Sequence, residues 1–274
     1  MFKLRTGYLI SGIITGCILL FTFVNTIPDG NLHIIFCDVG QGDAAYIKFP
    51  DGRDMLIDGG PNDRVIGCLS RHMPFWDRSI DMVAISHPQR DHIGGLPSVV
   101  SRYRVGYILK SKADESSDIA DKLKAIIQDK KIPVKVLEKG ETVAVDAVVI
   151  DILAPSGDEK NINDLSLVFT LHYGSFDTLF TGDAPLRQGF AGQAPGSIEV
   201  VKVPHHGSKT GLVASVVSVM HPIAAIISVG KNSFGHPSPE VLGAYSAAGS
   251  AIHRTDKEGD IEIISDGKNW GIDK

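Results

Sequence analysis

The sequence predicts a mixed α/β domain, in which a sheet of parallel and antiparallel strands is covered by helices. Three observations support this fold class. Short β-branched runs alternate with amphipathic helical segments, a pattern typical of βαβ units. Two runs, 167–171 and 178–180, flank a Tyr-Gly-Ser turn and predict an antiparallel hairpin. No linker interrupts residues 31–274, so we expect one domain there.

An apolar run at the N-terminus predicts a membrane anchor. Lys3 and Arg5 precede an uncharged stretch over 8–27, which is about the length that spans the hydrocarbon core of a bilayer. By the positive-inside rule, residues 1–7 lie in the cytoplasm and the main domain lies outside. A cleaved signal peptide is the alternative, but the run is long for a signal core and residues 24–26 form a poor cleavage site. We therefore predict a single-pass protein of the cell membrane with an extracytoplasmic domain.

The other elements follow from apolar periodicity. Strands are predicted where short apolar runs are bounded by glycine, proline or aspartate, and helices where apolar residues recur every three or four positions. The predicted strands are 32–36, 44–49, 55–57, 82–85, 105–109, 134–136, 143–145, 148–153, 167–171, 178–180, 200–203, 225–229 and 261–264. The predicted helices are 65–71, a segment beginning near Leu96, 117–130 and 239–248.

Composition and charge restrict the class of protein. Of the 274 residues, 43% are hydrophobic and 22% are charged, as in ordinary globular proteins. The formal net charge of −5 gives no overall attraction to nucleic acid, so DNA binding needs a local basic patch. The three cysteines include no Cys-x-x-Cys metal pair, and Cys17 lies in the apolar run. For Cys37 and Cys68 we expect buried free thiols, with a disulfide as the alternative in an extracytoplasmic domain.

Histidines and aspartates recur at the ends of the predicted strands. The stretch SHPQRDHIGG, residues 86–95, places two histidines and an aspartate within six positions after one strand. Asp58, Asp183, the pair His205-His206 and His236 follow four others. Loops at strand ends converge on one edge of an α/β sheet, and imidazole with carboxylate suits zinc, manganese or iron(II). One such residue alone is an ordinary cap or surface group, but five strand ends together predict a metal site.

These stretches resemble the motifs of a known superfamily. Residues 86–95 are similar to the H-x-H-x-D-H signature of the metallo-β-lactamase superfamily. The ordered motifs that narrow the resemblance to the metallo-β-lactamase-like domain of ComEC-type competence proteins are DVGQGD at 38–43, LIDGG at 56–60, NDLSLV at 163–168, FTGD at 180–183, VPHHGS at 203–208 and GHP at 235–237. The resemblance implies a four-layered αββα sandwich with its site at one edge, between the two sheets.

The resemblance also implies a ligand set for one or two divalent ions, either zinc or manganese. The implied metal ligands are His87, Asp91, His92, Asp183, one of His205 and His206 with His206 favoured, and His236, which either binds metal or meets the substrate. Asp91 and Asp183 are the expected catalytic carboxylates, since Asp91 would orient the nucleophile and Asp183 would bridge two ions. Asp58 is expected to hold a metal-binding histidine from behind.

Gln89 departs from the superfamily pattern, which has histidine or aspartate at this position. An amide oxygen is a neutral and weaker ligand, so we expect Gln89 to lie beside the metal ligands. The half of the site that contains His87 should then bind its metal weakly, and the other half firmly. Asp38 and Asp43 flank a glycine turn, and we expect them to be hydrogen-bonding groups at the edge of the site.

Several polar residues near these motifs are candidates for substrate contact. Ser208, Lys209 and Lys231 lie beside the histidine turns, where they would meet phosphate oxygens. Solvated surface positions are the favoured alternative for Lys202 as well as for Lys209 and Lys231. No interleaved stripe of aromatic and basic residues predicts a stacking platform for single-stranded nucleic acid.

Together these features predict a membrane-anchored, metal-dependent hydrolase. The resemblance points to a phosphodiesterase or nuclease in DNA uptake, acting on single-stranded DNA or another phosphodiester through a metal-activated water. Competence proteins join this domain to a multi-helix channel, whereas this sequence shows one apolar run. Transport is therefore expected either to depend on a separate membrane channel protein as partner or not to occur. The alternatives are a hydrolase of another extracellular ester or lactone, and a non-catalytic module that binds a partner.

Overall fold

The computed structural model describes residues 6–24, 27–155, 161–186 and 197–273. Over these residues the strands are β1 Leu32–Phe36, β2 Ala45–Lys48, β3 Asp54–Ile57, β4 Ser79–Ile85, β5 Arg104–Lys110, β6 Val134–Val136, β7 Thr142–Val145, β8 Val148–Ala154, β9 Val168–Tyr173, β10 Phe176–Phe180, β11 Val200–Lys202, β12 Ala224–Ile227, β13 Ala251–Arg254, β14 Ile261–Ser265 and β15 Trp270–Asp273. The helices are α1 Thr6–Val24, α2 Arg64–His72, α3 Arg90–Ile93, α4 Leu96–Arg102, α5 Asp118–Asp129, α6 Ala214–Met220, α7 Pro239–Ala247 and α8 Thr255–Glu258.

The described strands form two sheets. The first has eight strands in the order β15-β14-β1-β2-β3-β4-β5-β6, and the second has seven in the order β13-β12-β11-β10-β9-β8-β7. The run β3-β4-β5-β6 is parallel, as is the run β10-β11-β12-β13, and the other neighbours are antiparallel. The predicted hairpin is confirmed, because Tyr173 pairs with Phe176 across a two-residue turn.

The sheets stack face to face because side chains alternate between the two faces of each strand. Ile34 and Phe36 of β1 point into a central apolar cluster that they share with Phe169 and Phe180 of the second sheet. The rings of Phe36 and Phe180 stack with their centroids 5.7 Å apart across this layer. Ile35, between the two β1 residues, points to the opposite face and joins another cluster.

Helices cover the outer face of each sheet. The outer cluster of the first sheet includes Val65 of α2, Val99 of α4 and Leu123 of α5. The outer cluster of the second sheet includes Val217 of α6 and Tyr245 of α7. The predicted four-layered αββα sandwich is therefore confirmed, and the central strands of both sheets are buried on two faces.

The N-terminal apolar run forms helix α1, which begins two residues before the predicted anchor and ends within it. Among the described residues, no helix combines the length and the apolar character that a membrane crossing requires. The anchor predicted over 8–27 is therefore not confirmed. Most of the predicted cytoplasmic N-terminus, residues 1–5, lies outside the described residues, as do residues 25 and 26.

The expectation of free thiols at Cys37 and Cys68 is wrong. The two residues lie 31 positions apart in the sequence and form a disulfide, with their Cα atoms 5.8 Å apart. Cys37 directly follows β1, and Cys68 lies on the buried face of α2, which packs over the first sheet. Helix packing thus brings together two cysteines for which the sequence shows no local pairing signal.

Candidate metal centre

The candidate residues meet at the carboxyl ends of parallel strands from both sheets. In the first sheet, Asp58 follows β3 and His87 follows β4. In the second sheet, Asp183 follows β10 and the pair His205-His206 follows β11. Because parallel neighbours end at the same edge of a sheet, the stacked sheets bring these polar loops together, as the sequence predicts.

Four of the predicted ligands form a compact cluster, which we call the four-residue cluster: Asp91, His92, Asp183 and His206. Each offers one ligand atom, and these four atoms all lie within 4.8 Å of one another. Nε2 of His92 is 3.2 Å from Oδ1 of Asp183, and Nε2 of His206 is 3.3 Å from Oδ2 of Asp91. Three members are buried, whereas the side chain of Asp91 is 35% exposed and is the member that solvent reaches. An open cavity of about 680 Å³ borders the cluster at Gln89 and Asp91.

Acceptor groups behind the two imidazoles fix the orientation of the rings. Nδ1 of His92 lies 2.8 Å from Oδ2 of Asp58, and Nδ1 of His206 lies 3.0 Å from the carbonyl oxygen of Ser228. An Nδ1–H that donates to a carboxylate or carbonyl leaves Nε2 with a free lone pair. Asp58 therefore lies where the sequence predicts it, behind a histidine of the cluster. Metal-binding histidines are held in this way in known metalloproteins.

Buried polar atoms without hydrogen-bond partners provide the test of fit for a cation. Both carboxylate oxygens of Asp183 and Nε2 of His92 are buried and accept no hydrogen bond. Leaving such acceptors unpartnered costs about 1–3 kcal/mol each, and more for a charged group. A divalent cation among carboxylate oxygens and imidazole nitrogens satisfies all of them at once. The donor set of the four-residue cluster thus fits a divalent metal ion.

The electrostatics of the cluster agree with its geometry. Burial by itself lowers the pKa of His92, but the carboxylates of Asp183 and Asp58 outweigh it and raise that pKa well above the usual value. In the same way, Asp183 and Asp43 outweigh burial and raise the pKa of His206 to about 9. Burial raises the pKa of Asp183, yet His92 and His206 hold it well below its usual value. The carboxylates therefore favour positive charge among the imidazoles, and a bound metal ion would supply that charge in place of the protons.

His87 and Gln89 lie beside the four-residue cluster. Nε2 of His87 is 3.1 Å from Oε1 of Gln89 and 3.9 Å from Oδ2 of Asp183. Burial, followed by the nearby His92, lowers the pKa of His87 to about 4, so this ring is neutral at physiological pH. The amide of Gln89 contacts the same nitrogen that His87 would present to a metal. The expected difference between a firm and a weak half of the site stays a prediction.

Two neighbouring histidines diverge at the turn after β11. His205 and His206 both have left-handed backbone conformations, with φ of 49° and 53°, which are uncommon for residues other than glycine. The turn buries His206 in the four-residue cluster and leaves His205 partly exposed at its rim. Nε2 of His205 still lies 3.6 Å from Oδ2 of Asp183. The ring centroid of His236 lies 5.7 Å from that of His205, outside the four-residue cluster.

Lys202 contradicts the expectation of a solvated surface lysine. Its side chain is 4% exposed, and its Nζ forms an ion pair with Oδ2 of Asp43. Nζ also donates a hydrogen bond of 2.9 Å to the carbonyl oxygen of Gly182 and lies 4.0 Å from Oδ1 of Asp183. The side chain enters the interior because β11 is a central strand whose neighbours are β10 and β12.

Asp43 is likewise more central than the sequence indicates. It was expected at the edge of the site, but it is buried, and its Oδ1 lies 3.2 Å from Nδ1 of His206. Burial raises the pKa of Asp43, yet Lys202 and His206 outweigh that effect and keep the pKa below its usual value. Asp38 does lie at the edge, where its carboxylate accepts hydrogen bonds from Arg64 and from the backbone of Gly40.

Sequence reasoning assigned no role to two serines that the structure places in the site. Oγ of Ser86 donates to Oδ2 of Asp58 at 2.7 Å and lies 3.1 Å from Nδ1 of His87. Oγ of Ser166 lies 3.2 Å from the same Nδ1 and accepts a hydrogen bond from the backbone N–H of Asp183. Both serines belong to motifs that carry the family resemblance, and that membership was the available signal.

The candidate substrate-binding residues divide into two groups. Lys209 and Lys231 are exposed, near the His205-His206 turn and before His236 respectively. Ser208 is buried, and its Oγ accepts a hydrogen bond from the backbone N–H of Thr210, so that it caps the following short helix. Contact of these side chains with substrate stays a prediction.

Comparison with known proteins confirms the family resemblance in both sequence and fold. The chain is 25% identical to ComE operon protein 3 of Bacillus subtilis (strain 168) over 272 residues, covering 89% of this chain and 34% of that protein. It is 27% identical to recombination protein 2 of Haemophilus influenzae over 261 residues, covering 92% of this chain and 31% of that protein. The chain thus spans about a third of the length of these curated relatives. No family model matches it.

Solved structures share the architecture at low sequence identity. The metallo-β-lactamase fold protein YhfI from Bacillus subtilis matches with a TM-score of 0.58 and 12% identity, over 84% of this chain and 99% of that one. Igni18, a metallo hydrolase from Ignicoccus hospitalis, matches with a TM-score of 0.58 and 14% identity, over 85% of this chain and 98% of that one. The chain is a metallo-β-lactamase-fold protein that is similar, over most of its length, to part of the ComEC-type competence proteins.

Proposed function

We propose that the chain is a metal-dependent phosphodiesterase that cleaves DNA. The observation that carries the proposal is the four-residue cluster, whose buried Asp183 oxygens and His92 Nε2 have no hydrogen-bond partner. The proposed ligands of a firmly bound zinc or manganese ion are Asp91, His92, Asp183 and His206. His87 and His205, which lie next to the Asp183 carboxylate, are the proposed residues of a weaker position, with Gln89 beside them.

Each side chain has a proposed role in hydrolysis. When bound, a divalent ion supplies a water-derived nucleophile at neutral pH and polarises the phosphoryl oxygen. Asp91 is partly exposed and borders the open cavity, so it is the carboxylate placed to accept a hydrogen bond from the attacking water. Asp58 keeps His92 in one orientation. His236, at the rim, is placed to meet the substrate.

Similarity to competence proteins supports DNA as the substrate, since the net charge of −5 gives no such support. We propose that the domain acts outside the cytoplasm during DNA uptake, held at the membrane by its N-terminal segment and working with a separate channel protein. The disulfide between Cys37 and Cys68 supports an oxidising compartment.

The test combines metal content with a panel of substrates. Purified protein is loaded with zinc or manganese, its bound metal is measured by mass spectrometry, and it is assayed on single-stranded DNA and on bis-p-nitrophenyl phosphate. Asp183→Asn should lose both firmly bound metal and cleavage. Asp177→Asn is the matched control, because Asp177 is a largely buried aspartate on β10 that pairs with His172 instead of the cluster. It should keep both properties.

The alternatives are outcomes of the same experiment. Bound metal with hydrolysis of a carboxylic ester or lactone, and none of either phosphodiester, would identify a different hydrolase. A wild-type protein that takes up no divalent metal would favour a non-catalytic binding module and would refute the proposed function.

A further inference from the structure

The loop after β12 presents an aromatic side chain to solvent at the rim of the candidate site. Phe234 is 72% exposed, and its ring centroid lies 5.7 Å from that of His236, with the two ring planes inclined by 32°. The His236 ring lies 5.7 Å from that of His205, whose Nε2 is 3.6 Å from Oδ2 of Asp183. Three rings therefore lead from the surface to the Asp183 carboxylate.

The loop that carries Phe234 is held by its own hydrogen bonds. The side chain of Asn232 donates to the carbonyl oxygens of Gly230 and His236, at 2.8 Å in each case. Its oxygen accepts from the backbone N–H groups of Phe234 and His236. An exposed ring on a fixed backbone loses little conformational freedom when a ligand stacks on it.

Both ends of this loop are fixed against other loops of the site. At one end, Gly230 packs so closely on the backbone of Gly40 and Gln41 that a Cβ atom would meet it at 2.4 Å. At the other end, the backbone N–H of Ser238 donates to the carbonyl oxygen of Gly207, in the histidine turn. The position of Phe234 is therefore tied to the candidate metal centre by two separate contacts.

Single exposed apolar side chains are common on protein surfaces and are not sites by themselves. Phe75 is such a case, since it is 73% exposed, contacts Trp76, and precedes the amino end of β4, the end away from His87. Phe234 differs because its ring continues a row of imidazoles into the site. The exposed Lys231 lies three positions before it on the same loop.

We propose that Phe234, backed by His236, stacks on an unpaired nucleobase of the substrate while the adjacent strand backbone lies over the cluster. This subsite rests on the proposed phosphodiesterase function and gives it a substrate class, single-stranded nucleic acid. Aromatic rings stack on every base, whereas bases in a duplex are already stacked on their neighbours. Lys231, exposed three positions before Phe234, is the proposed contact to a phosphate of the same strand. The sequence shows no stripe of aromatic and basic residues because the proposed platform pairs a single aromatic residue, Phe234, with the imidazole of His236.

Equilibrium binding tests the subsite separately from catalysis. Fluorescence anisotropy in EDTA, where cleavage is prevented, compares a labelled dodecamer of thymidine with an abasic dodecamer of the same backbone. Phe234→Ala should weaken binding of the thymidine probe about 5- to 150-fold and leave binding of the abasic probe unchanged. Phe234→Trp should retain binding of the thymidine probe, and Phe75→Ala, the equally exposed control, should affect neither probe.

Three results would overturn the subsite. The first is a wild type that binds both probes equally or binds neither. The second is a Phe234→Ala variant with equally weakened binding of both probes, and the third is a Phe234→Ala variant with unchanged binding of both probes. The proposed function fails in a different way. If thymidine binding depends on Phe234 but no phosphodiester is cleaved with any divalent ion, the subsite stands and the phosphodiesterase does not. If DNA is cleaved but Phe234→Ala leaves binding unchanged, the proposed phosphodiesterase function holds and the subsite is refuted.

Discussion

Replacing Lys202 by methionine should destabilise the protein severely. Methionine keeps an unbranched, apolar stem but removes the ammonium group that pairs with Asp43 and donates to the carbonyl oxygen of Gly182. Both side chains of the ion pair are buried, so no solvent replaces the lost cation. The variant therefore leaves a buried carboxylate without its main counter-charge.

The magnitude follows from the class of interaction. Removing one partner of a buried ion pair costs about 3–5 kcal/mol in the free energy of unfolding. For a chain of this size, each kcal/mol lowers the melting temperature by about 2–4 °C, so the expected loss is about 6–20 °C. An exposed lysine changes stability by no more than about 0.5 kcal/mol, and Lys231→Met is the matched control because Lys231 is exposed on a nearby loop.

Urea unfolding followed by circular dichroism measures these differences, provided that the transition is reversible. Asp43→Asn and the double variant complete a thermodynamic cycle. Since the double variant contains no unpaired charge, its loss should be smaller than the sum of the two single losses by at least 1 kcal/mol, as expected for residues in contact. A loss below 1 kcal/mol for Lys202→Met, or strict additivity with Asp43→Asn, would refute the argument that this pair is buried and coupled.

Three further predictions concern the metal centre, the pH dependence of stability and the disulfide. Gln89→Asp supplies a charged oxygen next to His87, so metal titration by calorimetry should show a second tight site; two equally tight sites in the wild type would contradict this. Burial raises the pKa of Asp54 from 3.8 to about 6, so folding favours the protonated form and the contribution of Asp54 to stability should fall by about 2–3 kcal/mol as pH rises from 4 to 7. Asp54→Asn should lose most of that fall, and an unchanged profile in pH-dependent urea unfolding would exclude Asp54 as its source. Replacing Cys37 and Cys68 by alanine opens a loop of 31 residues and should cost about 3–4 kcal/mol, whereas a free energy of unfolding within 1 kcal/mol of wild type would show that the cross-link contributes little.

Most of the fold could be predicted because the interior strands are apolar on both faces. Strands such as β10 and β12 are buried at every position. Such short apolar runs predict buried strands even when the neighbouring strands are not known. Sequence reasoning missed β13 and β15, which are edge strands of the two sheets. The residues of β13 are exposed or partly exposed and form no continuous apolar run, whereas β15 alternates over only four residues, which is too short a pattern to mark a strand.

The site was predictable to the extent that its residues share a local pattern. Asp91 and His92 come from one motif, and placing metal-binding types at strand ends anticipated Asp183 and His206. The role of Lys202 depended on a long-range fact, namely which strands flank β11 in its sheet. A charged residue inside an otherwise apolar central strand nevertheless indicates a buried partner, and that signal was present in the sequence.

Charge balance explains why the lysine and a metal ion are not interchangeable in this site. Among the described residues, four carboxylates surround the histidines, those of Asp43, Asp58, Asp91 and Asp183, and buried carboxylates repel one another unless cations lie between them. Lys202 neutralises Asp43, which faces Nδ1 of His206, whereas its Nζ is 4.0 Å from Asp183 and donates no hydrogen bond to it. The oxygens of Asp183 are therefore left for a cation on the Nε2 side of the imidazoles. It follows that Lys202→Met should lower the stability of metal-free and metal-loaded protein by the same amount, while Asp183→Asn should abolish the stabilisation that metal provides.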